Sequence, residues 1–198
     1  MKRFDGFHCH DLGNGHTFYT GLLPPGLALE AAPFETLWQA HPAEYHVIKM
    51  HGRLVPTPRW QQAFGVDYHY TGRTNTALPL LPQLAPLLDW AREAVDKGLN
   101  GVLVNWYDGE RRHYIGRHRD STVNMVTGAP IVTISFGEER IFRLRPWRGS
   151  GATDFPARDG GVFVMPYETN RAWTHEVPHS AQRTGRRISV TIRGFVND

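Results

Sequence analysis

The sequence is poor in cysteine, in long apolar runs and in net charge, and each shortage narrows the choice of protein class. Its single cysteine, Cys9, cannot form an internal disulfide, which is typical of a reducing compartment. No apolar run reaches the length of a membrane span, and the first residues, MKRFDGFHCH, contain no apolar core of a signal peptide. We therefore expect a cytoplasmic protein that does not cross a membrane.

Charge and length set two further limits. A formal net charge of +3 permits an anionic partner such as nucleic acid without requiring one. The 198 residues include 20 Gly and 14 Pro, which suits one turn-rich, mainly β domain of the α+β class. We expect a single domain over residues 1–198, acting as a monomer, in which residues 1–25 form an N-terminal extension.

The spacing of apolar residues predicts the main elements. Helices are expected over residues 26–40 and 77–98, and two short strands joined by a turn are expected within residues 44–65. Residues 129–146 predict a β-hairpin, residues 147–160 a long turn and residues 160–166 a buried strand. The predicted core-facing stripe of the second helix is Leu84, Leu87, Leu88, Ala91 and Val95.

A candidate metal half-site follows the apolar strand GVLV. In an extended segment residues i and i+2 point to the same side, so the imidazole of His118 and the carboxylate of Asp120 can converge on one ion. A β-sandwich could return His175, from RAWTHEVP, to the same place. Two histidines and one carboxylate are the protein ligands of non-heme Fe(II) oxygenases, and they leave coordination positions open. These three residues are the candidate catalytic ligands.

A second motif lies near the end of the chain, in GRRISVTIRGF. Arg187, Ser189, Thr191 and Arg193 fall on one side of a predicted strand at period two. Two inward guanidinium groups are costly to bury without anionic partners, and a dicarboxylic acid bound beside a metal would supply them. The pattern therefore indicates a 2-oxoglutarate site.

In order along the chain, these motifs resemble the signature of the AlkB family of Fe(II)/2-oxoglutarate dioxygenases, and are most similar to its duplex-DNA repair branch. The residues that carry the resemblance are Asn105, Tyr107, His118, Asp120, His175, Arg187, Ser189, Thr191 and Arg193. The resemblance implies a double-stranded β-helix (jelly-roll) core with flanking helices, and Fe(II), 2-oxoglutarate and O2 as cofactor and cosubstrates.

The family also implies how the cosubstrate is held. Tyr107 and Arg187 would bind the distal carboxylate of 2-oxoglutarate, and Asn105 and Arg193 its proximal end. Thr191 would line the same pocket. Ser189 stands where the family usually has Asn, so one hydrogen bond would be lost or made through water.

On the substrate side, the resemblance implies a nucleotide-recognition lid over residues 44–73. Met50, His51 and Gly52 fall where the duplex-DNA branch has a finger that fills the gap left by a flipped base, although they could equally form an ordinary hairpin tip. Tyr68 and Tyr70 would line the substrate pocket, where a base could stack, although alternating tyrosines in a strand could also be half-buried packing residues. A further pair is Ser121 and Thr122, which replace acidic residues that recognise the exocyclic amine of a damaged base.

Three functions follow from these patterns. The leading one is oxidative demethylation of alkylated bases in DNA or RNA. A second keeps the same chemistry but hydroxylates a small metabolite or a protein side chain. A third is a β-sandwich binding module without catalysis. The basic loop with Arg111, Arg112, His113 and Arg117 could contact phosphates or simply be solvated.

Overall fold

A computed structural model describes residues 4–29, 31–50, 52–70 and 72–196. Its helical elements are a 3-10 turn at Pro25–Leu27 and the helices α1 Ala31–Gln39, α2 Ala85–Ala94 and α3 Tyr167–Ala172. The strands are β1 His8–Gly13, β2 His16–Leu22, β3 Val47–Met50, β4 Arg53–Pro56, β5 Trp60–Phe64, β6 Tyr68–Tyr70, β7 Arg73–Asn75, β8 Gly101–Asp108, β9 Ile115–His118, β10 Ile131–Gly137, β11 Arg140–Pro146, β12 Thr153–Ala157, β13 Gly161–Met165, β14 Trp173–Val177 and β15 Arg186–Arg193. Within these ranges, no helix has the length and apolar character to cross a membrane.

Two antiparallel sheets form the body of the fold. The larger has the order β1-β2-β13-β10-β15-β8-β5, and the smaller has the order β12-β11-β14-β9. Two separate hairpins, β3–β4 and β6–β7, lie in the segment predicted to be a lid. The predominance of β structure and the antiparallel sheets confirm the predicted jelly-roll class. The lid function of the hairpins stays a prediction.

The larger sheet is covered on both sides, which explains its near-continuous apolar strands. On one side its valines and isoleucines pack against α1 and α2, including the buried Leu37, Trp38 and Leu87. On the other side, aromatic residues such as Phe18 and Phe163 pack against Phe142 of the smaller sheet. The predicted stripe of α2 is buried at all five positions.

Strand β15 shows how the sequence sets up a polar cavity between the sheets. Ile188, Val190 and Ile192 enter the core beside the helices. The alternate residues, Arg187, Ser189, Thr191 and Arg193, line the space between the two sheets. Period-two alternation in β15 therefore places two arginines inside the protein, as predicted.

The predicted hairpin over residues 129–146 is wrong. Strand β10 pairs with β13 and β15, whereas β11 pairs with β12 and β14 in the other sheet. Gly137 ends β10 with a φ of 83°, a left-handed conformation that glycine adopts readily, and there the chain crosses from one sheet to the other. Burial of both faces of β10 fits this central position.

Other boundaries also differ from the predictions. Strand β12 lies within the predicted long turn; it is at the edge of the smaller sheet, where Pro156 is tolerated. The first predicted helix is shorter, with the 3-10 turn separated from α1. Helix α2 ends at Ala94 rather than at Gly98, because the Asp96 side chain accepts a hydrogen bond from the Gly98 amide and closes a turn instead. Strands β1 and β2 extend the larger sheet through β13.

Candidate metal centre and cosubstrate pocket

A cavity between the two sheets contains the candidate metal ligands and the inward face of β15. The lining residues are Arg59, Gln61, Tyr68, Tyr70, Leu103, Asn105, Tyr107, Ile115, His118, Asp120, Thr133, Phe142, His175, Val177, Arg187, Ser189, Thr191 and Arg193. Sequence motifs that are far apart along the chain therefore share one space.

The three predicted ligands converge. His118 at the end of β9 pairs in register with His175 of β14, and Asp120 follows two residues after β9. The Nε2 atoms of His118 and His175 each lie 3.5 Å from the same Asp120 oxygen, Oδ1. One ligand atom from each residue lies within 4.8 Å of the others. Two imidazole nitrogens and one carboxylate oxygen at this spacing fit a ferrous ion bound on one face.

Neighbouring groups orient these ligands. Nδ1 of His118 lies 2.9 Å from the Gly116 carbonyl oxygen, to which it can donate a hydrogen bond, leaving Nε2 free to bind a metal. Asn170 of α3 holds Asp120 by its backbone, since its Oδ1 accepts from the Asp120 amide and its Nδ2 donates to the Asp120 carbonyl. Sequence analysis missed Asn170 because it did not predict α3.

The protonation states suit a metal site. Burial alone raises the pKa of the Asp120 carboxyl, but the charge of Arg193, with a further contribution from His175, holds it well below its usual range. Burial and the nearby His118 lower the pKa of His175. Asp120 is therefore ionised and His175 neutral near pH 7, the forms that bind a metal.

Arg187 has the properties expected of a carboxylate anchor. Its side chain is fully buried, and Nη2 donates to Ser135 Oγ at 2.8 Å. Within the described ranges, Nε and Nη1 have no hydrogen-bond partner. The guanidinium lies 5.0 Å from the centroid of the Tyr107 ring, and burial lowers the pKa of Arg187. A buried cation with two unpaired donors in a cavity beside a metal triad fits the distal carboxylate of a keto-diacid.

Comparison with known proteins agrees with this chemistry. The sequence profile of the 2OG-Fe(II) oxygenase superfamily matches residues 28–193. The chain belongs to this superfamily.

Individual relatives of this oxygenase support the AlkB resemblance. The human DNA oxidative demethylase ALKBH2 is 29% identical over 74% of this chain, and its mouse counterpart is 31% identical over 74%. The rat alpha-ketoglutarate-dependent dioxygenase alkB homolog 3 is 28% identical over 72% of this chain. The oxygenase spans 60%, 65% and 52% of the lengths of these three relatives, less than two thirds of each.

The second guanidinium of the oxygenase, on Arg193, has a different partner from Arg187. It donates to Asp120 Oδ2 through Nη2 at 2.6 Å and through Nε at 3.1 Å. The carboxylate of Asp120 thus presents Oδ1 to the metal position and Oδ2 to Arg193. Arg193 is positioned to fix a metal ligand, whereas contact with the proximal end of the cosubstrate stays a prediction. Asn105, Ser189 and Thr191 line the same cavity.

Sequence analysis also missed a hydrogen-bonded network on the β5 side of the cavity. Nε of Arg59 donates to Asn105 Oδ1 at 2.7 Å, and Nη2 donates to Gln61 Oε1 at 2.9 Å. Gln61 in turn donates through Nε2 to the Tyr70 hydroxyl. The period-two spacing of Arg59 and Gln61, at the start of a strand with Trp60 between them, was the available signal.

The predicted substrate residues are only partly brought together. Tyr68 and Tyr70 line the cavity, with ring centroids 5.1 Å apart and nearly parallel planes. Ser121 and Thr122 do not line it, although the Ser121 amide donates to the Tyr68 hydroxyl at 3.3 Å. In the predicted finger, His51 and the side chain of Met50 lie outside the described residues, and Gly52 is exposed at a turn.

The basic loop after β8 is tied to the protein more firmly than a solvated loop would be. His113 is buried; its Nδ1 accepts from the Asp108 amide at 3.1 Å, and its Nε2 lies 2.9 Å from the Tyr45 hydroxyl. Arg117 donates to Thr174 Oγ1 and to the Pro146 carbonyl. The predicted phosphate contacts therefore do not apply to His113.

We expect His113 to make the folded oxygenase acid-sensitive. Burial lowers its pKa, so the unfolded chain binds a proton more readily; stability is complete above the ordinary pKa of about 6.5 and falls as the pH drops below it. In His113→Asn the amide oxygen can still accept from Asp108 but cannot be protonated. The melting temperature of His113→Asn should therefore fall less than that of the wild type between neutral and mildly acidic pH.

The matched control is His179→Asn, because His179 is exposed. Its melting temperature should follow the wild-type pH profile. An identical profile for His113→Asn would contradict the assignment, since the other buried histidines are unchanged in both variants.

Proposed function

We propose that this oxygenase oxidatively demethylates alkylated bases in nucleic acid, with Fe(II) as cofactor and 2-oxoglutarate and O2 as cosubstrates. The observation that carries the proposal is that one cavity contains the His118, Asp120 and His175 triad, the Arg187 guanidinium with two of its nitrogens unpaired, and the two stacked tyrosines. The human and mouse relatives, named DNA oxidative demethylases, support nucleic acid as the substrate.

Different residues of the cavity would bind the metal, the cosubstrate and the base. His118, Asp120 and His175 would hold the iron, which when bound supplies the centre where O2 is reduced. Arg187, with Tyr107 against it, would hold the distal carboxylate, and Asn105 would bind near the proximal one. Tyr68 and Tyr70 line the same cavity and would contact a bound base. The main contribution of the protein is to place one methyl group beside the metal and to exclude other C–H bonds.

The overall reaction balances without another reductant. One oxygen atom of O2 enters the N-methyl C–H bond, and the other enters the carboxylate left when 2-oxoglutarate loses CO2 to give succinate. The hydroxymethyl group then breaks its C–N bond; the nitrogen takes the hydroxyl proton and formaldehyde leaves. Formaldehyde and succinate should therefore form in equal amounts.

The test measures both products with Fe(II), using oligonucleotides that differ only in one N-methyl group. We expect formaldehyde only with methylated strands, and succinate stimulated by them. Succinate formation that no oligonucleotide changes would reject nucleic acid as the substrate. It would favour the second predicted function, hydroxylation of a small metabolite or a protein side chain.

A further inference from the structure

On the β5 side of the cavity, the lining residues Arg59, Gln61 and Tyr70 present mainly hydrogen-bond donors. A guanidinium has five N–H groups and no acceptor, and Arg59 uses two of them, one on Asn105 and one on Gln61. Both amide oxygens must therefore face Arg59, which directs the two NH2 groups elsewhere. The NH2 group of Gln61 reaches the Tyr70 oxygen, so the hydroxyl hydrogen of Tyr70 is left to donate. Burial raises the pKa of Tyr70, and the hydroxyl keeps this proton.

This side of the cavity also carries a positive charge, on Arg59, that is not paired with a carboxylate among the described lining residues. Arg59 is 6% exposed, and both of its hydrogen bonds within the described ranges go to neutral amides. Of the residues lining the cavity, Asp120 is the carboxylate, and its two oxygens serve the metal position and Arg193. A cationic base placed beside Arg59 would meet repulsion that no carboxylate among the described lining residues offsets.

The neighbouring His46 lies within the field of Arg59. Its ring stacks on Tyr70 at 5.6 Å between centroids. Burial lowers the pKa of His46, and the charges of Arg59 and Arg73 lower it further. The surroundings of Tyr70 therefore disfavour a positive charge on a flat ring.

The aromatic ring of Tyr68 does not offset this repulsion of a positively charged base. The guanidinium of Arg193 already lies over the Tyr68 ring, 4.5 Å from its centroid, so that face is used by the protein's own cation. Ser121 and Thr122, next to Asp120, lie outside the cavity lining and carry no charge. On this side too, the described lining residues supply no carboxylate besides Asp120.

We propose, on the basis of the proposed function, that the cavity selects neutral imide bases, in which the methylated nitrogen lies between two carbonyl groups, over cationic amine-bearing lesions. 3-Methylthymine in DNA and 3-methyluracil in RNA have this chemistry. Their two carbonyl oxygens match the donors of Arg59 and Tyr70. 1-Methyladenine and 3-methylcytosine carry a positive charge at neutral pH and present an amino group, which needs an acceptor.

Demethylation of the imide balances as for any N-methyl group. One C–H bond becomes C–OH with an oxygen atom from O2, while 2-oxoglutarate is oxidised to succinate and CO2. The C–N bond then breaks with its electron pair moving to nitrogen, which takes the hydroxyl proton. The products are formaldehyde and the neutral imide N–H.

Four lesions in one sequence context separate charge from hydrogen bonding. 3-Methylthymine is neutral with two flanking carbonyls, 1-methylguanine is neutral with one, 3-methylcytosine is cationic with one, and 1-methyladenine is cationic with none. We expect kcat/KM for formaldehyde release to fall in this order, by about tenfold or more from first to last. A 3-methyluracil RNA of the same sequence shows whether the strand must be DNA.

Single substitutions test whether Arg59 causes the preference for 3-methylthymine over 1-methyladenine. Arg59→Gln removes the charge, and the ratio of 3-methylthymine to 1-methyladenine activity should fall about tenfold or more. Arg158→Gln, which removes an exposed arginine outside the cavity lining, should leave this ratio unchanged. Ser121→Asp adds a carboxylate beside Tyr68 and should shift the ratio in the same direction as Arg59→Gln, which keeps the test usable if Arg59→Gln does not fold.

The outcomes are distinguishable. If 1-methyladenine or 3-methylcytosine is processed as fast as 3-methylthymine, the imide preference is rejected while demethylation stands. An unchanged ratio in both Arg59→Gln and Ser121→Asp also rejects the electrostatic basis. If no methylated strand releases formaldehyde, the proposed function and the imide preference are rejected together.

Discussion

Replacement of Asp120 by Asn should abolish turnover and metal binding together. Asn keeps the size of the side chain but removes the charged oxygen that both His118 and His175 face. A bound metal contributes several kcal/mol to transition-state stabilisation, and each 1.4 kcal/mol is tenfold in rate, so turnover should fall about a thousandfold or more. Calorimetric titration of the apo-protein with Fe(II) under anaerobic conditions should show the same loss without relying on activity.

The same change should also destabilise the fold, because Arg193 would lose its carboxylate partner while remaining buried. Breaking a buried ion pair in this way costs about 3–5 kcal/mol. Adding Arg193→Met to Asp120→Asn should recover much of this stability without restoring turnover. The two measurements therefore separate loss of the metal from loss of folding.

Asp154→Asn is the matched control. Asp154 forms an ion pair with Arg143 at 2.5 Å, but 40% of its side chain is exposed and it lies outside the cavity lining. Exposed pairs contribute about 1 kcal/mol or less, so its stability should change little and its turnover should stay near that of the wild type. Wild-type turnover in Asp120→Asn would refute the assignment of this carboxylate as a ligand.

The parts of the site that sequence could predict are those set by local spacing. In β15, alternation alone placed Arg187 and Arg193 on the inner face, and the i, i+2 spacing of His118 and Asp120 brought their side chains together. His175 was a candidate because two histidines and one carboxylate make a known ligand set, and no local spacing rule could have joined it to the other two.

What sequence could not predict depends on contacts between distant segments. The run through Gly137 has the pattern of a hairpin, yet its two strands enter different sheets, because strand pairing is decided by partners elsewhere in the chain. The bond from Arg59 to Asn105 joins residues far apart in sequence, and Asn170 reaches Asp120 from a short helix without strong apolar periodicity. Polar residues whose partners are distant carry no local signal of their role.

Replacement of Arg187 by Met should separate cosubstrate binding from stability. Arg187 is fully buried with two donors unpaired, so an apolar side chain of similar length should leave the apo-protein as stable or make it more stable. The KM for 2-oxoglutarate should rise about a hundredfold or more, since a buried charge pair contributes about 3–5 kcal/mol when one partner is removed. In thermal melts, 2-oxoglutarate with a catalytically inert divalent metal should stabilise the wild type and not Arg187→Met.

Arg140→Met is the control that distinguishes a ligand anchor from a structural arginine. Arg140 is equally inaccessible, but its Nη groups donate to the carbonyl oxygens of His113 and Arg183. Its loss would leave these acceptors unpaired, so Arg140→Met should lower the melting temperature, while the protein that folds should still be stabilised by 2-oxoglutarate. If Arg187→Met destabilises the apo-protein as much as Arg140→Met and binds 2-oxoglutarate normally, Arg187 is structural and the cosubstrate must be held elsewhere in the cavity.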